Sequence, residues 1–347
     1  MRPPRGRSEI NALATEVMIG ALPQIAVGAM PLLVGTMPVP GEPKSALVAA
    51  LTEAGAAPRL WNRRVSRFAD AAPWPRPEAY TAALVRLPKA KEELHFALDA
   101  AASVLPTGAV IVVYGHNDEG VRSAADRLAP FVDSIETLAT RRHCRVIAGP
   151  RRAAIADLRG RLELWRRQIA IDLGHGERDW VTYPGLFARG GLDPATALLL
   201  AHMPELAPGA RVLDFACGTG VIAAALLDRQ ADLRIDAIDN DALAIEATRA
   251  NVPSARALLG DDLARVGGEP YDLIVSNPPI HDGISESWAV LERLISRAPR
   301  HLTKTGSLVL VVQRRIDLQR PMTDAFGSAE ILARDAHFAI WHARLSK

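Results

Sequence analysis

Cysteine is nearly absent from this 347-residue chain: Cys144 and Cys217 are its only two, one in each half. Two distant cysteines build no disulfide framework, and neither belongs to a set with metal-ligand spacing, so two free thiols in a reducing cytoplasm are expected and no metal. Long apolar runs are also missing. No stretch reaches the roughly 18 residues of a membrane span, and the most apolar region, Ile19 to Thr36, is broken by Pro23, Gln24 and Pro31. It lacks the compact apolar core and small-residue cleavage pattern of a secretory signal, so neither membrane nor export is expected. Charge of one sign is not in large excess either, with 41 Lys and Arg against 39 Asp and Glu. No short tandem repeat is present, which argues against a solenoid.

What remains is an ordinary globular composition, 49% hydrophobic and 23% charged. At about 100 to 200 residues per domain the length suggests two domains. The second half carries the chemistry. Arg211 to Gly220 reads RVLDFACGTG: a short apolar strand, an acidic residue (Asp214), then small residues opening the apolar helix Val221 to Leu227. Gly218 and Gly220 let the backbone approach a ligand closely, and the helix start offers unpaired N–H groups at the positive end of its dipole. Ala216 stands where such loops usually carry glycine. The pattern by itself does not separate a dinucleotide from S-adenosylmethionine.

The next strand, Arg234 to Ile238, ends in Asp239, Asn240 and Asp241, with Asp239 21 positions beyond Gly218. That spacing suits a carboxylate accepting from two ribose hydroxyls. Asp241, ahead of the Ala-rich run Ala242 to Ala250, reads as a helix N-cap. After Ala257 to Leu259 come Gly260, Asp261 and Asp262. Asp261 is placed to accept from an adenine amine, whereas Asp262 is better read as a turn residue. Finally YDLIVSNPPIHDG, Tyr271 to Gly283, delivers Asn277, Pro278 and Pro279 from an apolar strand directly onto a turn. The prolines fix φ and hold Asn277 extended, so its side-chain carbonyl and the Pro278 carbonyl are two acceptors suited to the two N–H bonds of an amine. A plain Pro-Pro turn has the same letters; it is the ordered set of glycine loop, two strand-end acids and Asn-Pro-Pro that is specific.

These residues resemble the class I S-adenosylmethionine-dependent methyltransferases with an amino-methylating Asn-Pro-Pro signature. With YPGLF (Tyr183 to Phe187) and GLDPATALLL (Gly191 to Leu200) added, the closer resemblance is to the ribosomal RNA guanine-N2 methyltransferases of the RsmC/RlmG type, over roughly residues 180 to 345. The resemblance implies an α/β fold of two tandem Rossmann-like methyltransferase domains, the C-terminal one a seven-stranded class I sheet and the N-terminal one degenerate. It implies S-adenosyl-L-methionine as cofactor, held by Asp214, Ala216, Gly218, Gly220, Asp239, Asn240, Asp261 and Phe187. Asn277, Pro278, Pro279 and Ile280 would form the catalytic pocket, with His281, Asp282 and Gly283 against the substrate. Ile280 departs from the pattern, since that position is usually aromatic; an aliphatic platform loses a stacking contribution of about 1 to 3 kcal/mol.

The first half alternates strands and helices without cofactor chemistry. Tyr80 to Leu87, Ala109 to Tyr114 and Arg145 to Ala148 read as strands, Lys89 to Leu105 and Val121 to Pro130 as helices, and the alternation implies a parallel sheet. The loop GHNDEG after Tyr114 carries two acids that would repel a phosphate or carboxylate. Domain limits follow as 1–150 and 180–347, with 151–179 as an Arg-rich linker; similar element order hints at an ancient duplication. Residues 1–186 hold 24 Lys and Arg against 19 Asp and Glu, net +5, and the rest is net −3. Arginines cluster at 63, 64 and 67 and again from Arg141 to Arg167, which suits phosphate contacts, although a solvated helix face has the same composition. The C-terminal segment reads as a strand at Ser307 to Gln313 and an antiparallel pair, Ala329 to Ala333 with His337 to Leu345.

The expected function is therefore methyl transfer from S-adenosylmethionine to the N2 of an extruded guanine in ribosomal RNA of the small subunit, by a cytoplasmic, monomeric enzyme. Two other readings stay open on the residues: a protein glutamine methyltransferase acting on a translation factor, and a non-catalytic RNA-binding or assembly protein.

Overall fold

The computed structural model describes residues 7–35, 45–65, 71–88, 90–186, 192–278 and 285–345. The chain divides into two compact units, residues 1–166 and 167–347. No helix among the described residues is long and apolar enough to cross a membrane.

The first unit holds a six-stranded sheet: β1 (Pro31–Val34), β2 (Arg59–Trp61), β3 (Ala82–Arg86), β4 (Val110–His116), β5 (Glu136–Arg141) and β6 (Cys144–Pro150), in spatial order β2-β1-β3-β4-β6-β5. The first four are mutually parallel, whereas β6 runs antiparallel to β4 and to β5. The sheet is thus mixed, not wholly parallel, because β5 and β6 are joined by a tight turn at Arg142 and His143, both at positive φ (51° and 63°). Helix α1 (Arg7–Ala21) lays Ala14, Val17, Met18 and Ala21 on Leu33, Leu84, Val112 and Val146, with α2 (Ala46–Glu53) adding Leu47 and Leu51. Helix α3 (Lys91–Val104) buries Leu94, Phe96, Leu98 and a run of alanines, and the expected helix after Val121 forms as short 3-10 turns around α4 (Ala124–Leu128).

The stretch expected as a linker, 151–179, is built into the two units. The buried carboxylate of Asp99, on α3, accepts from the backbone N–H groups of Arg159 (2.8 Å) and Gly160 (3.0 Å) and from the Trp165 indole (3.1 Å), which ties residues up to Arg166 onto the first unit. Trp165 then joins an aromatic cluster with Phe96 and Trp74, and Arg159 stacks 4.1 Å over its ring. A fully buried carboxylate demands such donors, and the chain supplies them locally. From Arg167 the second unit begins, as an antiparallel hairpin of β7 (Arg167–Asp172) and β8 (Glu177–Thr182).

The second unit carries a seven-stranded sheet of β9 (Arg211–Phe215), β10 (Arg234–Asp239), β11 (Arg256–Leu259), β12 (Tyr271–Ser276), β13 (Leu302–Gln313), β14 (Glu330–Arg334) and β15 (Phe338–Arg344), ordered β11-β10-β9-β12-β13-β15-β14. β15 alone runs antiparallel to its two neighbours, as the pair read at the C-terminal end of the sequence requires. Period-two alternation sorts each strand between two cores. Val212, Leu273, Val275, Val309, Val311 and Ile340 face α5 (Pro194–Ala201), α6 (Val221–Arg229) and the hairpin residues Ile171 and Trp180. Leu213, Ile274, Leu308, Leu310, Val312 and Trp341 face α8 (Ser285–Arg297) and α9 (Gln319–Phe326). α7 (Ala242–Asn251) covers β10 and β11.

The first unit repeats the strand order of the second without its outermost strand β11. Register makes the comparison residue by residue. Val275 lies opposite Asp214 on β12 and β9, and Val85 lies opposite Val34 on β3 and β1. Setting Val85 on Val275 puts Val34 at Asp214, Leu87 at Asn277 and Pro88 at Pro278. The first unit is therefore a second sheet of the same order in which the buried acid and the carboxamide are both replaced by aliphatic side chains. Arg86 occupies the end of β3 instead, buried and held by Glu119 (2.7 Å), Asn11 (3.0 Å) and the Leu87 carbonyl (3.2 Å).

Candidate active site

Five parallel strands of the second unit, β11, β10, β9, β12 and β13, end on one edge of the sheet. The order reverses on either side of β9, which makes the β9–β12 gap the topological switch point where open α/β sheets bind ligands. Along this edge stand the loop after β11 with Asp261, the β10 terminus with Asp239, the glycine loop after β9, and Asn277 after β12. Neighbouring strands are about 4.8 Å apart, so one ligand of nucleoside size spans them.

The glycine loop is shaped by three left-handed residues, Ala216 (φ 59°), Gly218 (φ 57°) and Gly220 (φ 87°). Their reasons differ. A Cβ on Gly220 would lie 2.9 Å from Val252 Cγ2, where α7 closes on the start of α6, whereas a Cβ on Gly218 would meet nothing within 4 Å. Gly220 is thus required by packing, and Gly218 borders open space. Ala216 adopts a conformation that costs an L-residue roughly 1 to 2 kcal/mol.

Two aspartates hold the loop from beneath. Asp214 is fully buried; its Oδ2 accepts from Ala223 N–H (3.1 Å) in the first turn of α6, while Oδ1 has no hydrogen-bond partner among the described residues. Burial pushes its carboxyl up to about 7, with the nearby charge of Asp239 adding to the rise and the Ala223 N–H opposing it. Asp239 accepts from Gly218 N–H through Oδ2 (2.9 Å) and from Asp241 N–H through Oδ1 (2.9 Å). Cys217 is buried, 3.5 Å from the Thr248 hydroxyl, and burial raises its thiol well above the ordinary range, which leaves it neutral and unreactive. Asp241 caps α7 through Leu243 N–H (3.0 Å), as its place before the Ala-rich run requires.

Asn240 is exposed on the same edge. Asp261 and Asp262 follow β11; Asp262 caps a 3-10 turn through Ala264 N–H (2.9 Å) and pairs with Arg297, while Asp261 is half-buried. Asn277 follows Ser276, whose hydroxyl donates to the Phe215 carbonyl (2.6 Å) and so locks the β12 terminus to β9. Pro278 is buried behind it. Phe187, Pro279, Ile280, His281, Asp282 and Gly283 lie outside the described residues.

A chain 35% identical over 285 residues occurs in Pseudomonas aeruginosa, covering 81% of this chain and 83% of that one, and is named Ribosomal RNA small subunit methyltransferase C. This chain belongs to that family. A Pectobacterium atrosepticum protein of the same name is 35% identical over 272 residues, covering 75% of this chain and 73% of its own. The family described as Methyltransferase small domain matches residues 177–342, and its N-terminal companion, Methyltransferase small domain N-terminal, matches 46–160. Among solved structures, the T. thermophilus 16S rRNA N2 G1207 methyltransferase (RsmC), in complex with AdoMet and guanosine, superposes with a TM-score of 0.79. At 20% identity it covers 98% of this chain and 92% of its own, and it shares the two-domain fold.

Sequence reasoning missed the residues that brace the site. The Trp180 indole, from the hairpin, donates to the Thr219 hydroxyl (2.9 Å) inside the glycine loop, and Asn251, at the end of α7, donates to the Thr219 and Val181 carbonyls (2.9 Å each). Asp193 and Thr196 contact the Asn277 amide itself, each 2.9 Å from Nδ2. The Asp-Pro step at 193 and 194 marks a helix start, but no local signal joins it to a strand end 84 residues later.

The expected arginine patch is only partly free for phosphate. Arg151 donates to the Ala102 and Arg152 carbonyls, Arg152 to the Val132 carbonyl, Arg159 to the Leu164 carbonyl, and Arg142 pairs with Glu16. These four brace the first unit, while Arg141, Arg161 and Arg166 are exposed. Among the described residues no group of three or more His, Cys, Asp or Glu is placed to hold a metal.

Proposed function

We propose that this chain transfers the methyl group of S-adenosylmethionine to the exocyclic N2 of a guanine in small-subunit ribosomal RNA, with the cofactor along the edge from Asp214 to Asp261 and the target amine at Asn277 and Pro278. The observation that carries the reading is the arrival of four chemically distinct groups on one sheet edge at the switch point: a buried acid, a glycine loop, a strand-end acid and a carboxamide followed by proline.

The residues fit that cofactor. Among the described residues Oδ1 of Asp214 is unpartnered and suits a cation; a Cβ on Gly218 would meet nothing within 4 Å, so a ligand can approach the loop backbone there; Asp239, at its strand end, is the acceptor for the ribose hydroxyls. Asp261 is the acceptor for an adenine amine and Asn240 lies beside the ribose, and the family resemblance adds Phe187 to the cofactor-binding residues. When bound, S-adenosylmethionine supplies a methyl carbon already activated by its sulfonium. The chain supplies position. The Asn277 Oδ1 and the Pro278 carbonyl accept the two N–H bonds of the amine and turn its lone pair out of ring conjugation toward that carbon. The family resemblance assigns Pro279 and Ile280 to the catalytic pocket and His281, Asp282 and Gly283 to the substrate. The exposed arginines of the first unit hold the RNA backbone.

The full chain is to be incubated with labelled cofactor and, separately, small subunits, large subunits, free small-subunit RNA and release factors. Label recovered as N2-methylguanosine in small-subunit RNA is the expected result. Label on a protein glutamine, or in no RNA, overturns the proposal.

Asp214 gives the reading a pH signature. A cation beside Oδ1 favours the ionised carboxylate, so cofactor affinity should rise between pH 6 and pH 8 as a group with a pKa of about 7 loses its proton. The limiting slope is tenfold per pH unit below the pKa, because one proton is exchanged. For the ligand-free chain the sign is opposite. A folded-state pKa raised above the ordinary carboxylate value contributes stability below that value and loses it as pH rises through about 7. Calorimetric titration across this range checks both; an Asp214→Asn variant with the same affinity slope removes Asp214 as the cause.

A further inference from the structure

Asn277 is useful only one way round. A carboxamide presents an acceptor on one side and donors on the other, and the two ends have almost the same shape. An amine brought against the nitrogen end would meet two donors and be repelled. Nothing in the Asn-Pro-Pro sequence distinguishes the two rotamers.

The fold does distinguish them. Asn277 Nδ2 lies 2.9 Å from Asp193 Oδ2 and 2.9 Å from Thr196 Oγ1. The Thr196 hydroxyl donates to the same Asp193 oxygen at 3.2 Å, which leaves its own lone pairs toward Asn277. A carboxylate has no proton to give, so the oxygen end of the amide is excluded from this position and Oδ1 must face away. Among the described residues Oδ1 accepts no hydrogen bond, so it remains available. Asp193 is itself fixed: Oδ2 also accepts from Thr196 N–H at 2.9 Å as the N-cap of α5, and Thr196 is buried. From this geometry we infer that Asp193 and Thr196 are positioning residues for methyl transfer, a clamp that sets the Asn277 carboxamide with its oxygen toward the incoming amine. The clamp acts only through Asn277 and rests on the proposed role of that residue as the amine acceptor.

The test separates clamp from cap. Ser is as good an N-cap as Asp but too short to reach the amide, so Asp193→Ser retains α5 and loses the clamp. Asp193→Asn keeps an acceptor oxygen in the same place and should rescue it. Methyl transfer by the full chain to small-subunit RNA is measured with cofactor affinity and melting temperature alongside. For Asp193→Ser and for Thr196→Val, kcat is expected to fall about 10- to 100-fold, because the carboxamide is misplaced and not removed. Cofactor Kd should change less than about threefold, the limit set for a group that does not touch the cofactor, and Asp193→Asn should stay within that margin in kcat. In single turnovers of Asn277→Ala, adding Asp193→Ser should cost nothing further, because two residues acting through one are not additive. Wild-type kcat in Asp193→Ser and Thr196→Val, or a further loss on top of Asn277→Ala, overturns the clamp. Failure of the wild-type chain to methylate guanine N2 overturns the substrate reading instead. The clamp is then judged by 15N-asparagine labelling: the Asn277 side-chain protons, assigned by their absence in Asn277→Ala, should exchange slowly with solvent and lose that protection in Thr196→Val. Equal exchange in both chains also overturns it.

Discussion

Replacing Asn277 by Ala should lower kcat by about 100- to 1,000-fold, the effect of deleting one preorganised hydrogen-bonding group aimed at the reacting centre. Cofactor Kd should stay within about threefold, since a group that serves only the transition state affects kcat and kcat/KM equally and leaves ground-state binding alone. The asymmetry follows from placement. Asn277 ends β12 on the side of the switch point opposite Asp239 and Asp261, which lie beyond β9, so its loss leaves the edge proposed for the cofactor untouched. Single-turnover rates and a cofactor titration on the same preparation decide the matter. Parallel loss of rate and affinity would assign Asn277 to the architecture of the site and not to the amine.

The second large effect separates two glycines that look alike in the sequence. Gly220→Ala should destabilise the chain by about 2 to 5 kcal/mol. Roughly 1 to 2 of this comes from an L-residue forced to a left-handed φ, and roughly 1 to 3 from overpacking, since its Cβ would lie 2.9 Å from Val252 and 3.3 Å from Thr248. Gly218→Ala carries only the first cost, because its Cβ enters open space. That space is where the cofactor is proposed to lie, so Gly218→Ala should fold yet bind S-adenosylmethionine at least tenfold more weakly, about 1.4 kcal/mol. Denaturant unfolding and calorimetry on both variants give the comparison. Full cofactor affinity in Gly218→Ala would place the ligand elsewhere. Ala216 shows that the loop already tolerates one left-handed alanine, at φ 59°, so a second is within reach of a folded chain.

Legibility in the sequence followed the range of the interaction. The strands at β9, β10, β12 and β15 were readable because each is a short apolar run between turn signals, and Asp241 was readable as a cap because capping is a contact over two or three residues. Asp262 was separable from Asp261 for the same reason. The hairpin β7 and β8 carries no strand signal in the sequence, because most of its charged residues face solvent and its fully buried apolar side chains are few, Ile171, Trp180 and Val181, with Ile169 packed beside them. Likewise Asp99 looked like any acid on a polar helix. Its burial exists only because three donors from residues 159 to 165 converge on it, and the arginines nearby have a composition that suits phosphate although several donate to backbone carbonyls.

From composition and order of residues alone came the class of chemistry: an apolar strand followed by small residues, strand-end acids at nucleotide spacing, and a carboxamide before two prolines are local facts set by φ restrictions and side-chain size. Tertiary structure decided which way that chemistry faces. Burial in the folded sheet pushed the Asp214 carboxyl up to about 7, Gly218 and Gly220 acquired different reasons only when α7 packed against one of them, and the Asn277 amide was oriented only by Asp193 and Thr196, 84 and 81 residues away. The physical reason is common to all three: donor, acceptor and steric partners contributed by distant segments set desolvation and direction, and no window of sequence contains both members of such a pair.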